Sequence, residues 1–81
     1  MMPNGEIREA IREAERAVTE GHKLPAEMAR ELIARFGAGN VRRTCPEYFY
    51  HPGPTEKVLA QMLKIHVIIC TGHLPHRARR P

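Results

Sequence analysis

Near the end of this 81-residue chain, Cys70, His73 and His76 follow one another at C-x2-H-x2-H spacing, a thiol and two imidazoles of the kind a borderline-soft cation accepts. Cys45 and His51 lie in a proline-rich stretch that a small fold must pack close by. The cofactor this suggests is zinc. Held by Cys45, His51, Cys70 and His73, one ion would staple a domain too short to rest on its core alone. The paired C-x2-C knuckle of strong zinc signatures is missing, and His76 could equally belong to the tail, so the other reading is ordinary histidines and a buried thiol. A second pair is His66 and Cys70, four apart and so on one helical face, in principle a base and its nucleophile. That face also carries Leu59, Leu63 and Val67, which predicts a core histidine beside a buried, inert cysteine.

Other chemistries are excluded by residue type. Serine, aspartate and tryptophan are absent, which removes any serine nucleophile with its triad, any aspartate dyad and any Asp-based calcium loop. Gly37-Ala38-Gly39 is too short to cradle phosphate and reads as a helix stop. The glutamates at 6, 9 and 13 are i, i+3 and i, i+4 neighbours on a solvated helix face, not a pair across a cleft. Without an assembled nucleophile, base and orienter, the chain is expected not to be an enzyme.

The elements that must position these groups are legible from hydrophobic period. Ile7, Ala10, Ile11, Ala14, Ala17 and Val18 share one face of a helix over residues 5–20, with Asn4 placed to cap its start and Gly21 to end it. Its back is striped, Arg8, Arg12 and Arg16 beside Glu6, Glu9, Glu13 and Glu20. A second helix is predicted over 25–36, opened by Pro25 and buried along Met28, Ala29, Leu32, Ile33 and Phe36, with Glu31 paired to Arg35. Residues 38–54 hold three prolines and three consecutive aromatics and are predicted to be a loop, Tyr48, Phe49 and Tyr50 plugging the edge of the core. A third helix over 55–71 is apolar almost all round except for Lys57, Gln61, Lys64 and Thr71 beside Ile68. The resulting fold class is mainly α, a small three-helix domain over 5–74 between an extension, 1–4, and a mobile basic tail, 75–81. The β-branched run Val67-Ile68-Ile69 keeps an α+β alternative open, a short hairpin of 47–51 with 64–70.

The net charge of +4 sits entirely after residue 40. Before that point seven glutamates face six basic residues; beyond it Arg42, Arg43, Lys57, Lys64, Arg77, Arg79 and Arg80 face only Glu47 and Glu56. These basic residues, interleaved with Tyr48, Phe49 and Tyr50, are the ingredients of a phosphate-contacting surface with stacking rings. The first functional expectation is therefore a non-catalytic accessory protein or regulator that docks its basic half onto nucleic acid or a nucleoprotein complex. The alternative is a protein-directed inhibitor or adaptor that covers the apolar third helix, residues 58–69, with a larger host protein, or with a second copy. In size and composition the chain resembles the small inhibitors that mobile elements and phages encode. No apolar run reaches the ~18–20 residues of a membrane span, and Met1-Met2-Pro3-Asn4-Gly5 shows no signal-peptide pattern, so no membrane partner is expected and a cytoplasmic location is. Two cysteines 25 apart make no disulfide framework.

Overall fold

The structure, a computed structural model, describes residues 4–76. It is mainly helical, with no strand among those residues. Helix α1 spans Asn4–Thr19, α2 Pro25–Phe36, α3 Ala38–Thr44 and α4 Thr55–Thr71, with a single 3-10 turn at Pro46–Tyr48. Helices α1, α2 and α4 thus fall within a residue or two of their predicted bounds. Asn4 is the first helical residue instead of the cap ahead of it. The hairpin alternative is overturned, because residues 64–70 continue α4 and residues 46–48 form the 3-10 turn. Leu63 and Val67, four apart on the face that meets the other helices, make helix the conformation that buries both.

The stops are the expected glycine chemistry. Gly72 takes a left-handed φ of 80° and donates its N–H to the Ile68 carbonyl, closing α4. At the other junction Gly37, φ 90°, donates to the Ile33 carbonyl and lets α3 start at the very next residue. At the head of α2, Glu27 reaches back to accept the Leu24 N–H at 2.9 Å, while Pro25 fills a position with no amide partner to lose.

Short helix α3 is the correction to the predicted 38–54 loop. Its sequence has no apolar period, but Val41, Thr44 and Cys45 at its end are all buried, and the Asn40 amide donates to the Phe36 carbonyl left over from α2. One anchored valine and a shared cap therefore fix seven residues that propensity alone leaves undecided.

The core is a single cluster: Ile7, Ala10, Ile11, Ala14 and Val18 from α1; Ala29, Leu32 and Phe36 from α2; Val41 and Cys45; and Leu59, Leu63 and Val67 from α4. Helix α4 packs against both α1 and α2 and is the central element that its composition predicts. Met28, Tyr48 and Phe49 lie half-buried at the edge of the cluster, whereas Tyr50 points away from it. Exposed ion pairs tie the periphery, Arg8 to Glu47 and Lys23 to Glu31, both at 2.7 Å, and Arg35 to Glu6 at 3.5 Å. Glu31 and Arg35 thus turn to other partners instead of each other, and at this exposure the links contribute little to stability.

Candidate functional site

The predicted zinc ligands are not brought together. Cys45 is 1% exposed, within the core. His51 packs its ring against Tyr50, centroids 4.3 Å apart, on the exposed loop before α4. Cys70 is exposed in the last turn of α4, and His73 stacks loosely on His76 with its Nδ1 3.1 Å from the Leu74 carbonyl. Among the described residues no group of three or more His, Cys, Asp or Glu side chains is placed to hold a metal ion. The spacing was right for a ligand set, but helix α4 turns Cys70 outward while α3 buries Cys45.

The expected basic and aromatic surface divides in two. Arg42 is bound internally: its Nε donates to Thr55 Oγ1 at 3.1 Å, its Nη2 donates to the Gly53 carbonyl at 2.9 Å, and its guanidinium lies over the Phe49 ring, 4.8 Å from the centroid. Phe49 and Tyr48 belong to the core edge. Arg43 is exposed, though its guanidinium donates to Asn40 Oδ1. Lys57 and Lys64 are exposed two turns apart on α4, with Gln61 between them, and Tyr50 is 67% exposed. Arg77, Arg79 and Arg80 lie outside the described residues. What remains at the surface of the described chain is Arg43, Tyr50, Lys57 and Lys64. A shallow cleft lined by His51, Pro52, Pro54, Lys57 and Gln61 runs beside this strip.

The C-terminal end of α4 and the residues just past it expose apolar side chains. Large hydrophobic side chains exposed among the described residues are Tyr50, Ile68, Ile69 and Leu74, and three of these four fall within residues 68–74. Ile69 at 77% exposure and Leu74 at 63% have almost nothing over them.

A separate polar junction forms where α1, α4 and the 3-10 turn meet. The Tyr48 hydroxyl donates to Glu15 Oε2, the same oxygen that faces His66 Nδ1 at 3.8 Å, and His66 Nε2 is 3.5 Å from Cys70 Sγ. The pairing of His66 with Cys70 was legible from their spacing, but their predicted burial in the core is corrected: His66 is half-buried and the thiol is exposed. Glu15, 51 residues away in sequence from His66, carried no local signal.

Burial, then the hydrogen bond to the Glu15 carboxylate and its charge, hold the Tyr48 phenol protonated far above the usual phenol range. Burial likewise pushes the Cys45 thiol up, partly offset by the Arg8 guanidinium. Both groups keep their protons more tightly folded than unfolded, so unfolding releases protons once the free thiol and phenol begin to ionise, and the stability they contribute falls as pH rises. The melting temperature is expected to drop progressively above about pH 9, and Tyr48→Phe should flatten that alkaline fall. Equal alkaline slopes in the two proteins would show that the phenol is not linked to folding. Glu47 runs the other way, since the hydrogen bond from Arg8 lowers its carboxyl and its contribution is lost as pH falls through the carboxylate range.

No family model matches this chain, and no curated protein or solved structure is significantly similar to it. Among the described residues no helix is long and apolar enough to cross a membrane.

Proposed function

We propose that the protein is a non-catalytic binding module that docks a larger protein through the outward face of α4. The observation that carries this reading is the exposure of Ile68, Ile69 and Leu74 at the C-terminal end of α4 and just past it, beyond the exposed Lys57, Gln61 and Lys64. An isolated exposed isoleucine needs no explanation, but three large apolar side chains within seven residues on an 81-residue chain form the kind of patch that partners cover. The adjoining lysines favour a partner whose apolar contact is flanked by acidic side chains.

Ile69→Glu is expected to weaken capture of that partner ~10-fold or more, because a carboxylate would be desolvated at the centre of the contact. The melting temperature should hardly change, since the side chain touches little of the fold. Pull-down followed by titration of the captured protein measures the first, and thermal melting the second. Capture unaffected by Ile69→Glu would sink this docking face.

Nucleic-acid docking is the second reading, favoured by the exposed Tyr50 ring against His51 and by Lys57 in the adjoining cleft. It has lost part of its sequence-level support, because Arg42, Tyr48 and Phe49 are occupied within the fold. If phosphate contacts carry affinity, log K falls with log salt by roughly 0.9 per contacted phosphate, and Lys57→Gln with Lys64→Gln should reduce that slope by up to ~2. A mobility titration at low salt separates the readings, since protein capture through an apolar patch tolerates salt and leaves nucleic acid unshifted.

A further inference from the structure

Cys70 lies in the last turn of α4, exposed, with its Sγ 3.5 Å from Nε2 of His66 one turn earlier. The other imidazole nitrogen, Nδ1, is 3.8 Å from Oε2 of Glu15 on α1. That carboxylate is itself fixed by the Tyr48 hydroxyl. Thiol, imidazole and carboxylate therefore run in sequence from solvent into the junction of α4, α1 and the 3-10 turn, with each nitrogen of the ring facing one partner. A nucleophile, a base in reach of it and a third group that orients the base is the arrangement that activates a thiol.

We propose that Cys70 is a reactive thiol, with His66 accepting its proton and Glu15 positioning the imidazole, that exchanges with low-molecular-weight disulfides and carries the resulting mixed disulfide. This goes beyond the docking reading and does not depend on it.

The electrostatics favour the transfer from the receiving side. The carbonyl end of a helix repels an anion and attracts a cation, so exposure at the end of α4 does not by itself activate a thiol. Moving the proton to His66 places the new positive charge beside the Glu15 carboxylate, whose Oε2 lies 3.8 Å from the ring Nδ1. Glu15 reaches the ring from α1 and Tyr48 backs Glu15 from the 3-10 turn, while Glu20, just past α1, and His73 and His76 line the cleft at the same end of the bundle.

A disulfide is the electrophile that suits this setting. Acyl transfer needs donors arranged around an oxyanion, whereas in disulfide exchange the departing thiolate carries the charge away into solvent. The step balances as follows: the Cys70 S–H proton passes to His66 Nε2, Sγ attacks one sulfur, a new S–S bond forms as the old one breaks, and the leaving thiolate takes a proton from the imidazolium or from water. Cys70 is oxidised and half of the incoming disulfide is reduced to a thiol. Cys45 takes no part, since it is buried in the core with a thiol that burial keeps protonated.

The test is the second-order rate of reaction with 5,5′-dithiobis(2-nitrobenzoic acid), followed by absorbance, and with oxidised glutathione, followed by intact mass. The folded full-length protein is used, with a chelator present, across pH 6–10. One thiol per chain is expected to react, with a rate at pH 7 ~10-fold or more above that of free glutathione, and Cys70→Ser should abolish it. His66→Gln should slow the reaction ~10-fold at pH 7 and converge on the wild-type rate at the alkaline end of the range, where hydroxide replaces the imidazole as the base. Glu15→Gln should lie between the two, with the same convergence. A purely structural role for either residue would change the melting temperature without reshaping the pH profile. If His66→Gln reacts like the wild type at every pH, the proposal fails. Should that variant not fold, the wild type decides alone: a rate that tracks glutathione across the range overturns the proposal.

Discussion

Leu63→Ala is expected to leave the protein largely unfolded at 37 °C. Leu63 is fully buried in the middle of α4, in the core that α4 shares with α1 and α2. Truncating such a leucine removes its transfer free energy and leaves a cavity that the neighbouring helices fill only in part, a loss of about 3–4 kcal/mol. A domain of this size rarely holds more than ~3–5 kcal/mol in total, so the loss consumes most of the stability. Urea titration followed by circular dichroism measures it. Leu63→Met, which conserves volume, should cost under ~1.5 kcal/mol, and Ile69→Ala, whose side chain is exposed, about zero. A loss below ~1 kcal/mol for Leu63→Ala would mean that α4 is not the element on which the bundle is built.

That centrality could be read from the sequence, and the reason is physical. A 3.6-residue apolar period marks a buried stripe whatever the partner, so Ile7, Ile11 and Val18 on one helix and Leu59, Leu63 and Val67 on another declare both their conformation and their buried face. Helix α3 has only Val41 to offer, followed by Arg42-Arg43, and its helicity comes from the Asn40 bond to Phe36 and from neighbours that burial supplies after folding. Turn and tertiary context decide such short segments, where period has no room to appear.

The polar sites divide along the same line. His66 and Cys70 are four apart, so their contact follows from helix geometry alone. Their exposure does not follow, because it depends on where the bundle ends, and the thiol lies at its edge with Ile69 and Leu74. Glu15 and Tyr48 meet across 33 residues, and nothing near either one in sequence announces the other. The nucleophile–base pair was thus visible while the group that orients it was not. In the zinc reading the reverse held: the residue types suited a cation, and the helices carried them apart.

Arg42→Ala is the substitution that best separates charge used for folding from charge used for binding. By composition Arg42 counts among the basic residues available to an acidic partner. In the structure its guanidinium donates to the Gly53 carbonyl and to Thr55 Oγ1, the first residue of α4, and covers the Phe49 ring. It therefore fastens the segment containing Pro52 and Pro54, which cannot contribute backbone donors at those positions, to the end of α3. Losing charge-assisted hydrogen bonds and a cation–π contact at a partly buried site is expected to cost about 2 kcal/mol, a large share of the total for a domain this small. Arg42→Lys should recover only a minor part, because a single ammonium cannot span two acceptors and lie flat on a ring. Lys57→Ala and Lys64→Ala, exposed on α4, should change stability by less than ~0.5 kcal/mol while retaining any effect on binding. Urea midpoints for the four variants measure the contrast. If Arg42→Ala behaved like the lysine variants, the 49–55 segment would have to be held by Phe49 packing alone, and Arg42 would rejoin the surface charge available to a partner.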